Sequence, residues 1–161
     1  MRPLFSLLVF LLSTNLNAQT ADEESVKQVV YQLFDGMRQG DSTMISAVFT
    51  KDAEMHTIFV DKEGAPNLQK GSLQRFLIAV GTPHESVWDE PIWDIEVQID
   101  GNLAQVWTKY AFYLDDKFSH CGVDAFQLFK GNTGWKIFQL TDTRKKEGCV
   151  IPDHVKKKVK K

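Results

Sequence analysis

The chain is poor in cysteine and proline, with 2 Cys and 5 Pro in 161 residues. Two thiols exclude a cysteine-rich scaffold. There is no His-Glu-x-x-His, no paired Cys-x-x-Cys and no glycine-rich phosphate loop, so neither a metal nor a nucleotide cofactor is expected. No apolar run reaches the ~20 residues of a spanning helix. The longest, Leu4 to Leu12, is half that, and no transmembrane segment is expected in the mature chain. Basic charge is scarce where a nucleic-acid partner would need it. Arg2 stands apart and five of the 19 basic side chains lie in 155–161, so the stretch 19–154 holds 13 basic against all 21 acidic ones, a net charge near −8. That balance excludes an ordinary nucleic-acid-binding domain. Repeats and low-complexity segments are also missing.

What is present suits one domain. Apolar residues make up 43% of the chain, including 11 Phe and 4 Trp, enough to form a core and exclude disorder. Residues 1–18 read as a signal peptide. Arg2 is the positive start, Leu4 to Leu12 the apolar stretch, and Ala18 the small residue before the cut. The expected domain is 19–150, working in an oxidising place, periplasmic or secreted. The last residues, 151–161, read as a lysine-rich, solvated and disordered tail.

Val26, Val29, Val30, Leu33, Phe34 and Met37 mark one face of a first helix. Thr20 with Glu23 offers it a capping box, and Gly40 ends it. Asp41 or Ser42 can cap a short second helix containing Met44, Ile45, Val48 and Phe49. Residues 54–60 read as a strand, followed by a loop with Gly64 and Pro66. Leu73, Phe76, Leu77 and Val80 mark a third helix that starts near Ser72 and ends at Gly81. The period then becomes two. Trp93, Ile95, Val97 and Ile99 alternate with polar residues, Asp100-Gly101 signals a hairpin, and 103–114, 118–130 and 134–144 complete an antiparallel meander. The predicted class is α+β, a strongly curved antiparallel sheet forming a half-barrel covered by three N-terminal helices.

Burial argues for a register. An Asp100-Gly101 turn pairs Val97 with Ala104 and Ile95 with Val106, placing Trp93 on one face with Ala104, Val106, Thr108, Tyr110 and Phe112. A two-residue Asp115-Asp116 loop would set Val106 opposite Ala125, whereas a three-residue loop, Asp115 to Lys117, sets it opposite Phe126 and is favoured because it puts Phe126 and Leu128 on the core face. The last hairpin then sets Leu128 near Ile137, Phe126 near Gln139 and Asp124 near Thr141. Tyr110, Thr108, His120, Asp124, Gln139 and Thr141 would face the helices inside an apolar cup, as in small-molecule sites.

Gln39-Gly40-Asp41, Phe49-Thr50-Lys51-Asp52-Ala53, Asp124-Ala125-Phe126-Gln127-Leu128 and Gly134-Trp135-Lys136-Ile137, in that order and spacing, resemble the nuclear transport factor 2-like superfamily over residues 22–144. Its SnoaL-like, ketosteroid isomerase-like and lumazine-binding types are the relevant ones. The resemblance implies a cone-shaped, cystatin-like roll around a pocket, and often a dimer through the sheet. The isomerase residues do not carry over. Leu33 stands at the helix-one Tyr position and Thr57 at the base position, with His56 beside it; only Asp124 matches.

The expected catalytic candidates are therefore Asp124, His56 and His120. An apolar setting can keep Asp124 neutral; equally, it can be a paired core carboxylate. The period does not decide which face His56 takes, and His120, near a strand end, reads as exposed. The expected ligand-binding set is Asp124, Tyr110, Thr108, Phe126, Gln139, Thr141, Trp93 and Thr57. Cys121 and Cys149 can pair if 145–149 folds back, the alternative being a free thiol. The function expected is binding of a small, mainly apolar molecule. The alternatives are a lyase or isomerase using Asp124 with a His base, and a non-catalytic module that dimerises through the outer sheet face.

Overall fold

The computed structural model describes residues 9–157, with side chains described from Thr20 onward. The helices are α1 (Val9–Gln39) and α2 (Ser42–Ser46), ahead of the first strand, and α3 (Leu73–Gly81), between the second and third strands. The strands are β1 (Phe49–Val60), β2 (Pro66–Lys70), β3 (Trp88–Asp89), β4 (Ile92–Asp100), β5 (Leu103–Leu114), β6 (Lys117–Gly131) and β7 (Gly134–Arg144). The class is α+β, as predicted. Two caps fall where the sequence put them. Asp41 accepts hydrogen bonds from the Thr43 and Met44 amides at 2.9 Å each, and Ser72 accepts one from the Arg75 amide. The first cap does not. Because α1 already runs from Val9, Thr20 lies inside a helix and its pair with Glu23 is no capping box.

The strands form one sheet in the order β2-β1-β7-β6-β5-β3, with β4 also on β5. All neighbours are antiparallel except β1 and β7, which run parallel. The sequence reading omits β2 and β3, both short edge strands. Pro66–Lys70 was expected as loop, yet it pairs back onto His56–Val60.

Three irregularities set which side chains enter the cup. At the β4–β5 hairpin the turn is Gly101-Asn102, with Asp100 opposite Leu103, Ile99 opposite Ala104 and Val97 opposite Val106. Gly101 takes φ +57° at the first turn position, where a type II′ turn needs it. This is two residues from the expected register, so the faces are kept. A break between Trp93 and Glu96, with Asp94 at φ +52°, turns Trp93 to the other face, opposite Lys109. On β5–β6, Val106 does meet Phe126, but through a two-residue Asp115-Asp116 turn and a bulge between Phe112 and Tyr113. On β6–β7, Leu128 meets Ile137 as expected. Phe138 is then bulged out, so Phe126 meets Leu140 and Asp124 meets Asp142. An extra residue on one strand inverts the faces beyond it. Leu140 and Asp142 therefore point into the cup, while Gln139 and Thr141 point out.

The main core lies between the helices and the inner sheet face. Val26, Val30, Leu33 and Phe34 of α1 pack on Val106, Phe126, Leu128 and Ile137, and Phe34 meets Phe126 edge-on at 6.2 Å. A second cluster sits on the outer face, where Trp93, Ala111, Tyr113 and Cys121 pack with Cys149, Ile151 and Val155. Cys121 and Cys149 form a disulfide with Cα atoms 6.1 Å apart. The segment after it is not the solvated tail expected from 151 onward. Ile151 and Val155 are packed. Lys157 lies 2.7 Å from Asp89, donates to the Asp115 carbonyl and sits over the Tyr113 ring. The remainder of the expected tail, 158–161, and residues 1–8 of the expected signal peptide lie outside the described residues. Among those described, no helix is long and apolar enough to cross a membrane.

Candidate functional site

Alternate residues of β5, β6, β7 and β1 line the inner face because strand side chains alternate. Where the apolar layer stops, polar groups take over. A cavity of about 90 Å³ lies there, between Leu33, Phe34 and Met37 of α1, Phe76 of α3 and the sheet, with Glu90, Tyr110, His120, Asp124, Asp142 and Arg144 on its polar side. Glu90 reaches it from the crossing between β3 and β4. That crossing is pinned on both sides: Arg38 of α1 donates to Asp89 at 2.7 Å, and the Ala111 amide donates to the Pro91 carbonyl.

Glu90 and Asp124 both line this cavity, near enough that each carboxyl shifts the titration of the other. Burial pushes Asp124 well above the usual aspartate range, and the Glu90 charge adds to it. Burial, with the Asp142 charge second, likewise pushes Glu90 up to about 8. At neutral pH the pair is therefore a proton donor. Oδ2 of Asp124 is buried without a partner. An unsatisfied buried polar atom is costly, and its residue lines the hollow.

The surrounding groups are mostly paired. Asp142 accepts from Thr57 Oγ1 at 2.6 Å and from Arg144 Nε at 2.6 Å. Tyr110 donates to the Thr143 carbonyl at 2.9 Å, and burial raises its hydroxyl's pKa. Gly122 makes that bond possible, since a Cβ there would sit 1.8 Å from the Thr143 oxygen. His120 lies between the Tyr110 and Phe112 rings. Burial, then the Arg144 charge, lowers it to about 4, so the imidazole is neutral and can accept a proton.

Of the expected site residues, Asp124, Tyr110 and His120 come together here, and His120 is half-buried rather than exposed. Thr57 reaches the cup as a support for Asp142. Thr108 and Phe126 are on the inner face but fully buried in the core, with Thr108 donating to the Trp93 carbonyl. Gln139, Thr141 and Trp93 are on the outer face for the bulge reasons given above. His56 pairs beside Thr141 and also faces out. Glu90 and Asp142 were missed. Glu90 follows Trp88 and Asp89 in what reads as a loop, and Asp142 has the wrong parity unless the Phe138 bulge is known. Among the described residues, no group of three His, Cys, Asp or Glu side chains is placed to hold a metal ion.

With this geometry in view, comparison with known proteins assigns the class. A family described as "putative lumazine-binding" matches residues 21–141, and the chain belongs to that family. Solved structures place the fold within the nuclear transport factor 2-like group. One is a nuclear transport factor 2-like protein with a cystatin-like fold from Novosphingobium aromaticivorans, at TM-score 0.67 and 13% identity, covering 91% of this chain and 94% of that one. Another, from Shewanella baltica, has TM-score 0.59 and 18% identity, covering 80% and 97%. A third, described as a "putative scytalone dehydratase" from N. aromaticivorans, has TM-score 0.65 and 11% identity, covering 81% and 89%. At these identities the likeness is one of fold. No curated protein matches the chain.

Proposed function

We propose that the cup binds a small, mainly apolar molecule and holds its one polar group against the Glu90–Asp124 pair. The carrying observation is the unpartnered, buried Asp124 Oδ2 of a residue on the polar side of a cavity whose other side is Leu33, Phe34, Met37, Met55, Phe76 and Leu140. The family's description also suggests small-molecule binding. A 90 Å³ hollow is smaller than the ~300–1,000 Å³ of drug-sized sites. The cup therefore takes only the polar end of the ligand. A neutral His120 on the same cavity as a protonated acid supports a second reading, a dehydratase- or cyclase-type lyase with His120 as base and the acid pair as proton donor.

The same reading places the protein outside the cytoplasm, periplasmic or secreted, because the apolar start and the Cys121–Cys149 bond both suit export. A homodimer through the outer face is supported by Leu103, Trp107 and Phe129, each about half exposed there. Leu140 does not belong to that face, being buried in the cup.

The test is native mass spectrometry after incubation with a small-molecule extract of the producing cells. Wild type is expected to retain a ligand mass that Asp124→Asn and Glu90→Gln lose. Equal retention by wild type and both variants contradicts the site. Turnover of the retained molecule, abolished in His120→Gln, selects the lyase reading.

A further inference from the structure

A cavity larger than the cup lies elsewhere among the described residues. A groove of about 490 Å³ lies on the outer face, within the ~300–1,000 Å³ of small-molecule sites. Its floor is Trp93, Val123 and Thr143; one wall is the end of β1, the other the disulfide-held strap Gly148–Ile151. We propose that this groove is a second binding site, for a single-chain anionic amphiphile such as a long-chain carboxylate, with the alkyl chain between Ile58, Val60 and Val150 and the head group at Lys145 and Lys109.

Three observations converge on this. Scattered exposed apolar residues are ordinary, but here aliphatics of two separate segments, β1 and the strap, meet at one groove: Ile58 at 40%, Val60 at 65% and Val150 at 88% exposure. Val150 is also held there. Cys149 ties the strap to β6, and Cys121 exchanges two backbone hydrogen bonds with Lys145. The strap is thus a fixed wall presenting an uncovered valine. Finally, the lining contains Lys109, Arg144 and Lys145 and no carboxylate. Arg144 is engaged by Asp142 and Lys109 shares Asp94 at 2.8 Å, which leaves Lys145 as the principal anion partner. Apolar walls with a cationic rim fit a chain ending in a carboxylate.

Isothermal titration of the full, oxidised chain with decanoate below its micelle concentration, and with decan-1-ol as the uncharged counterpart, tests this. Decanoate is expected to bind one to one, at least tenfold more tightly than decanol. Lys145→Ala should bring decanoate down to the decanol level. The double variant Ile58→Ser, Val60→Ser, altered at exposed positions, should weaken both at least tenfold. Asp124→Asn should leave both unchanged. No binding, equal affinity for the two probes, or indifference to the double variant would overturn the site. Loss in Asp124→Asn would move the probe to the cup. A dimer in light scattering that Val60→Lys separates, with decanoate failing to bind, would assign the groove to a second copy instead.

Discussion

Two carboxyls facing each other in a low-dielectric setting cannot both ionise cheaply, and this governs the chemistry of Asp124 and Glu90. The consequence for stability has a definite sign. The native state keeps these protons to higher pH than the unfolded chain, so stability falls as pH rises from the ordinary glutamate value of 4.5 toward about 8. His120 acts the other way. Its folded value of about 4 lies below its ordinary 6.5, so its contribution is present above 6.5 and lost as pH falls toward 4. Between pH 6.5 and 8 the carboxyls therefore act without it. Denaturant titrations across that window should show wild type losing stability with rising pH, and the double variant Glu90→Gln, Asp124→Asn losing that part of the slope. Asp124 was legible in the sequence because a lone acid among apolar strand residues is conspicuous. Glu90 was not, since its place depends on how a loop crosses the sheet edge.

Caps and bulges decide the arrangement of the elements. Asp41 closes the start of α2 with two amide hydrogen bonds, and α2 packs Ile45 into the core with 0% exposure. Asp41→Ala should cost about 1–2 kcal/mol in chemical denaturation, and Asp41→Ser less. Helix positions and the four long strands were readable from periodicity, because each long strand carries its own alternation. The bulges were not. Phe138 looks like any apolar strand residue, yet its exclusion from pairing reverses Gln139 through Asp142. Trp93 shows the same effect, turned outward by the break at Asp94. The parallel pairing of β1 with β7 and the edge strands β2 and β3 are long-range or short features that local patterns do not encode.

For the molecule as a whole, the C-terminal strap joins what lies on both sides of the sheet. The disulfide closes a sequence separation of 28, which by loop entropy contributes about 3–4 kcal/mol. Beyond it, Lys157 meets Asp89, which also holds Arg38 of α1. Burial pushes Asp89 up, but these two hydrogen bonds more than offset it and leave its carboxyl below the ordinary range. Asp89 adjoins Glu90, so the strap braces the segment that carries half of the acid pair. Reduction with dithiothreitol should lower the unfolding free energy by about 3 kcal/mol while leaving the inner core folded at room temperature, as followed by tryptophan fluorescence and far-ultraviolet circular dichroism. Composition and the two distant thiols made this level partly readable. The docking of residues 151–157 was hidden because a run of lysines looks solvated until Asp89 and the Asp115 carbonyl are brought beside it.

The most direct test is a carbon-13 titration of the side-chain carboxyls by NMR in the ligand-free protein, with Asp124→Asn and Glu90→Gln to assign the signals. A sheltered proton-donating pair requires the Asp124 carboxyl to titrate well above the usual aspartate range and Glu90 to titrate near 8. Ordinary titration of both near pH 4 would show that water fills the hollow and that no donor pair exists there.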